Sequence, residues 1–160
     1  MNGVVPDPVA SRAAGWARVR QVHVTLRDIR RFAQAIGETD PVHHDEQYAA
    51  TTPYGGVVAP PLFCQSLAYD DVGPDQLAAD GSPIELNAPV PAERVVGGGS
   101  DYRIHRLVRP GDVISVRSWL KGVTPKEGRS GMLYLVQVET EFTDQQGLPV
   151  AHELATYIKR

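Results

Sequence analysis

Apolar residues recur at three- and four-residue steps over Leu26, Ile29, Phe32, Ala33 and Ile36, which predicts an amphipathic helix early in the chain. Thr25 opens it, because its hydroxyl can accept from an early backbone N–H and Asp28, three residues on, completes a capping box. Gly37 closes it as a residue able to take positive φ. Ahead of it, Ala17–Val24 alternates around Val19 and reads as a first strand. Residues 1–16, with their prolines, glycine and small residues, read as a flexible leader before a domain spanning 17–160.

After the first helix, Asp45 reads as the N-cap of a short second helix to about Ala50. Pro53-Tyr54-Gly55-Gly56 is a turn cluster, and Pro60 and Pro61 suit the first turn of a third helix. That helix is expected to be long, central and largely buried, from about Pro61 to Asp70, with Leu62, Phe63, Leu67 and Ala68 facing the core. Residues 71–92 hold four prolines and two glycines without a period, as a lid or a partner-contacting segment would. From Val95 the pattern becomes strand-like over 95–106, 113–122, 132–143 and 149–159. Turn signals at Arg109–Asp112, Pro125–Gly128 and Asp144–Gly147 separate these runs, so an antiparallel meander is expected. Helices first and strands after predict one α+β domain, its antiparallel sheet wrapped around a central helix.

Composition narrows the function classes. Among 160 residues, 42% are hydrophobic and 22% charged, an ordinary balance for one globular domain. The net charge of −3 offers no basic field for nucleic acid or an anionic membrane. No apolar run approaches the roughly 18 residues of a membrane span, and the first residues lack a signal-peptide pattern, so a cytoplasmic protein is expected. The single cysteine, Cys64, has no internal disulfide partner, and no Cys/His spacing of the zinc type occurs. Neither a metal nor a cofactor is expected.

The candidate chemistry is concentrated in Glu38-Thr39-Asp40-Pro41-Val42-His43-His44-Asp45, three carboxylates and two histidines in eight residues. A carboxylate and an imidazole held close can move protons to and from a bound water, as adding water to a double bond requires. Glu38 and His43 form one candidate pair, and Asp40 is a rival base. The alternatives are that Glu38 caps the helix exit, that Asp40 makes an Asx-turn before Pro41, and that His43 is a solvated loop residue. His44 reads as an exposed neighbour. Gly97-Gly98-Gly99 precedes no Lys-Ser/Thr helix, so these glycines suit a strand bend or a close approach of backbone or ligand better than a phosphate loop. His105 on its expected strand reads as a structural or interface histidine, and Cys64 as a buried small hydrophobe. Lys121–Arg129 reads as a solvated hairpin tip, where Lys126 and Arg129 are candidate contacts for the phosphates of a carrier arm.

The order of these motifs resembles one family. A helix ending in Gly, then acid-x-x-Pro-x-His-x-Asp, then Gly56-Val57-Val58-Ala59-Pro60-Pro61, then strands opened by Arg109-Pro110-Gly111-Asp112, is similar to the MaoC-like hydratases and dehydratases. The segment Gly99 to Asp112 looks most like their fatty-acid-synthase-type dehydratase branch. The resemblance implies a hot-dog fold, without cofactor or metal, and interconversion of 3-hydroxyacyl and trans-2-enoyl thioesters carried on CoA or acyl carrier protein. It places Glu38, Asp40 and His43 at the catalytic motif and Pro60 at the oxyanion position; Pro60, Pro61 and Leu62, with Gly98 and Gly99 of the glycine run, are the candidate substrate contacts. It also implies a homodimer or a heteromer with another hot-dog subunit. The chain departs from the family pattern at Asp40, where an Asn is usual, and at Ala59, where active members often have His, and in two ways that matter more: Glu38 stands where an Asp is usual, and Pro60, which has no N–H, stands where a glycine donates to the enolate oxygen. The second departure matches relatives that serve as a non-catalytic, acyl-binding half of a heteromeric dehydratase. A thioesterase is disfavoured, since residues 61–69 contain no acid.

Overall fold

The computed structural model describes residues 18–69, 73, 75, 77, 90, 92, 94–129 and 131–160. The expected leader over 1–16, most of the irregular 71–92 stretch and the Asp70 end of the third helix lie outside these residues.

The first strand and helix form where the pattern puts them. Strand β1 is Arg18–His23 and helix α1 is Leu26–Ile36. The Asp28 N–H donates to the Thr25 hydroxyl at 3.2 Å while the Thr25 N–H donates to the Asp28 carboxylate at 2.8 Å, closing the capping box. Gly37 ends the helix at φ 72°, its N–H turned back to the Ala33 and Gln34 carbonyls. Ile29 and Ala33 are fully buried and Leu26 and Phe32 partly so, whereas Ile36 at the last turn is exposed. Val19, around which the strand alternation was read, is 67% exposed, and it is Val22 and Val24 that meet the core.

The sheet comprises β1, β2 (Val95–Ile104), β3 (Val113–Gly128), β4 (Gly131–Thr143) and β5 (Pro149–Lys159), ordered β1-β3-β4-β5-β2. All neighbours are antiparallel. Only β3, β4 and β5 form the expected meander. Strand β2 is not β3's neighbour, because β1 and β4 already occupy both sides of β3, and it pairs along the free side of β5. The turn expected at Pro125–Gly128 is also absent: β3 runs straight through it and pairs Pro125 with Tyr134. Strand β1 pairs β3 only as far as Ser118, so Pro125 occupies a stretch where a missing N–H breaks no ladder to β1. A bulge between Leu120 and Gly122 then places Val123, rather than a polar neighbour, on the buried face, so the segment 121–129 is only partly solvated.

Helix α2 is Glu46–Thr51, capped by the Asp45 carboxylate on the Gln47 and Tyr48 N–H groups as expected. Helix α3 is much shorter than expected, Phe63–Leu67. Two consecutive prolines remove the donors at its start, Leu62 supplies no side-chain cap, and both ends tighten into three-residue bonds, Phe63 N–H to Pro60 and Ala68 N–H to Gln65. Its Phe63, Cys64 and Leu67 pack with Ile114, Val116, Phe142 and Val150 of the sheet. Burying side chains of this size stabilises the fold by about 1.5–3 kcal/mol each. Phe63 also meets Phe32 of α1 edge to face, with ring centres 5.5 Å apart, which fixes α1 above α3.

Candidate active site

The segment between α1 and α3 is short of regular structure yet almost fully tied down. Pro41–His43 forms a single 3₁₀ turn, opened by the Asp40 carboxylate accepting from the Val42 N–H at 2.9 Å. This puts Val42 into the core and buries His43 to 7% exposure. The His43 ring meets the Val58 carbonyl through Nδ1 at 2.6 Å. A carbonyl oxygen can only accept, so Nδ1 carries a proton, and in the neutral ring it is Nε2 that has the lone pair to accept one. His43 is therefore a buried, oriented imidazole and not the solvated loop residue of the bland alternative.

The neighbouring polar side chains bond chiefly to backbone. The Glu38 carboxylate accepts from the Asp40 N–H at 2.9 Å, and the Asp40 carboxylate makes the Asx-turn anticipated before Pro41. His44, expected to be exposed, is half-buried: its Nε2 lies 2.8 Å from the Glu38 carbonyl and must donate to it. The loop closes on itself in this way, with the His44 imidazole spanning residues 38 to 44. Among the described residues no hydrogen bond joins the Glu38 or Asp40 carboxylate to the His43 ring; each carboxylate spends one oxygen on its own loop.

Val58, which anchors His43, is followed after Ala59 by Pro60, Pro61 and Leu62, so the chain runs from the anchor of the imidazole into the entrance of α3. The Ala59 N–H donates to the Val108 carbonyl at 2.8 Å, and the two prolines have no N–H. The first donor left at the entrance to α3 belongs to Leu62. Gly98 and Gly99 sit on β2 instead, at a bulge facing Thr156 of β5. A Cβ on Gly98 would stand 2.9 Å from the Thr156 carbonyl oxygen, so a close backbone approach explains this glycine. Strand β2 stops at Ile104, leaving His105 exposed just beyond it rather than on the strand.

Cys64 is buried on α3, and burial pushes its thiol up to about 12 against the weaker opposing pull of the Tyr102 hydroxyl. It is inert, as a small hydrophobe would be. Arg106 pairs with Asp112 at 2.8 Å and Asp144 at 3.1 Å, so the Arg109–Asp112 turn is locked to the turn before β5. Lys126 and Arg129 are exposed near the end of the β3–β4 hairpin. Among the described residues no group of three or more His, Cys, Asp or Glu is arranged to hold a metal, and no helix is long and apolar enough to cross a membrane.

Three structural parts of the site escaped the sequence reading. Val58 acts through a backbone carbonyl, which no side-chain motif reveals. Arg30 of α1 donates to the His44 carbonyl through Nε and Nη2, at 3.0 and 2.7 Å. Arg109 donates to the Tyr54 carbonyl at 2.7 Å, holding the turn ahead of Val57. Both arginines look like ordinary surface charges in the sequence.

This architecture, an antiparallel sheet packed against a short central helix, is the hot-dog fold. The family described as "FAS1-like, dehydratase domain region" matches residues 7–153, and the chain belongs to it. A UPF0336 protein of Streptomyces griseus is 30% identical over 136 residues, covering 82% of this chain and 81% of its own length. A probable enoyl-CoA hydratase alpha subunit of Thermomonospora curvata is 33% identical over 149 residues, which is 88% of this chain but 46% of that protein. Among solved structures, a chain of the ChsH1-ChsH2 complex from Mycobacterium tuberculosis superimposes with a TM-score of 0.74 at 23% identity, covering 94% of this chain and 92% of the other. The MaoC-like dehydratase from Rhodospirillum rubrum does so with a TM-score of 0.64 at 21% identity, covering 89% of each chain.

Proposed function

We propose that this chain is a hydro-lyase that interconverts trans-2-enoyl and 3-hydroxyacyl thioesters carried on CoA or acyl carrier protein. The observation that carries the reading is the His43 ring, buried and fixed through Nδ1 to Val58 so that Nε2 is left as a base. In the hydration direction Nε2 takes a proton from water as the water oxygen bonds to C3 of the enoyl group. The electron pair moves to the thioester oxygen, and C2 is then protonated to give the 3-hydroxyacyl product. Glu38 or Asp40, each with a second carboxylate oxygen, would hold the water, and the proton taken up by Nε2 is the one returned to C2, which regenerates the base. With Pro60 unable to donate, the Leu62 N–H at the entrance to α3 would stabilise the enolate oxygen. Purified protein given crotonyl-CoA or a longer enoyl-CoA should bleach the enoyl-thioester absorbance. His43→Ala should slow this by at least about a hundredfold, the usual contribution of a positioned base. Full activity in His43→Ala would remove the reading.

Pro60 favours a second reading, an acyl-binding subunit that completes the site of another hot-dog chain. The heteromeric ChsH1-ChsH2 likeness is compatible with it. Under this reading the chain alone is inactive, the complex with its partner is active, and His43→Ala leaves that activity untouched.

A further inference from the structure

The loop that presents His43 has its backbone donors satisfied internally: the His44 and Asp45 N–H groups both donate to the Pro41 carbonyl, at 3.0 and 2.8 Å. The carbonyl of His44 is left pointing out of the 3₁₀ turn, as the last carbonyls of any helical turn are. One guanidinium meets it. Arg30 brings Nε and Nη2 to that single oxygen and reaches the Glu46 carboxylate with the same Nη2 at 3.2 Å. Arg30 adjoins Ile29, which is fully buried, on a helix capped at both ends, so the guanidinium projects from a rigid base.

We propose that Arg30 is a positioning residue for His43, fixing the peptide plane that follows His44 and thereby the direction of the His43 ring; the inference rests on the water-adding reading of that ring. Two contacts set the imidazole. The Val58 carbonyl holds one nitrogen, and the backbone it hangs from is held between the Pro41 carbonyl on one side and Arg30 on the other. Its exposed ion pair with Glu46 contributes little by itself, since both side chains are open to solvent, 43% and 67% exposed. The two-pronged hold on a carbonyl sets geometry instead, and a displacement of about 1 Å at a reacting group costs on the order of a hundredfold in rate. Lysine could make only one of the two bonds.

The test compares Arg30→Ala, Arg30→Lys and, as a charge control on the same helix, Arg31→Ala. With enoyl-CoA as substrate, Arg30→Ala should lower kcat by about ten- to a hundredfold while KM changes much less. Arg30→Lys should recover part of that loss, added guanidinium should restore Arg30→Ala in part, and Arg31→Ala should match the unaltered protein. Nitrogen-15 spectra of the His43 imidazole give a readout that needs no activity. The unaltered protein should show a single tautomer protonated at Nδ1, and Arg30→Ala a mixture. Unchanged kcat in a folded Arg30→Ala protein, or an unchanged His43 spectrum, would overturn the inference. Inactivity of the unaltered protein would instead count against the water-adding reading, and the spectra would still decide the role of Arg30.

Discussion

The loop carrying His43 and the cluster beneath α3 both fix polar side chains in place, but by opposite means. In the loop, Glu38, Asp40, His43, His44 and Asp45 each bond a backbone group, and most partners lie two to six residues away. Beneath α3, side chains bond side chains across the fold. Glu153 on β5, 4% exposed, accepts from Ser100 on β2 at 2.6 Å and from Gln65 on α3 at 3.2 Å. Ser118 and Thr140 pair across β3 and β4 at 2.9 Å. Backbone partners hold a side chain to one direction and tolerate changes nearby. Side-chain partners have to be present together. The loop is therefore organised for direction, and the cluster for agreement among three elements.

Removing one member of the cluster should cost the most. Glu153→Ala takes the shared acceptor from the exposed Ser100 hydroxyl and the half-buried Gln65 amide, and should destabilise the fold by about 1.5–3 kcal/mol in denaturant unfolding, the usual value for hydrogen bonds to a charged group. A cost under about 0.5 kcal/mol would show that the cluster is not a coupled unit. In the loop, Asp45→Ala removes the cap on two N–H groups of α2 and should cost about 1 kcal/mol, the usual value for an N-cap. If it cost more than Glu153→Ala, the contrast between the two regions would fail.

The smallest effect tests an ion pair on the sheet. Burial works to raise the Glu139 carboxyl, yet hydrogen bonds from His152 and Lys121 outweigh it and hold the group below the usual carboxylate range. A carboxyl lowered in the folded state adds stability above its unfolded pKa and loses it as pH falls through the folded value. Unfolding curves of Glu139→Gln and the unaltered protein should therefore differ near neutral pH and converge in acid. Curves that stay parallel down the acid limb would deny the pair any role.

The same contrast explains what could be read from the sequence. The capping box at Thr25, the Gly37 stop, the Asp45 cap and the Asx-turn at Asp40 all rest on neighbours in the chain, so their residue types announce them. The motif around His43 was legible for the same reason. The position of β2 depended on which side of the sheet remained open, and the length of β3 on what the hairpin would pair, so neither was local. Arg30 and Val58 were invisible because one partner in each bond is a carbonyl that every residue possesses. The apolar face of α3 was legible, but its length was not: two prolines delay its start to Phe63, and a three-residue bond from the Ala68 N–H to the Gln65 carbonyl closes it after Leu67.

The buried thiol of Cys64 has a practical consequence. With burial pushing its thiol up to about 12 and its sulfur enclosed, the chain's one native sulfhydryl should stay silent towards maleimides at neutral pH. A cysteine introduced at an exposed position such as Gln47 would then take up a fluorophore or spin label alone, and the native protein could be labelled without first deleting a core residue.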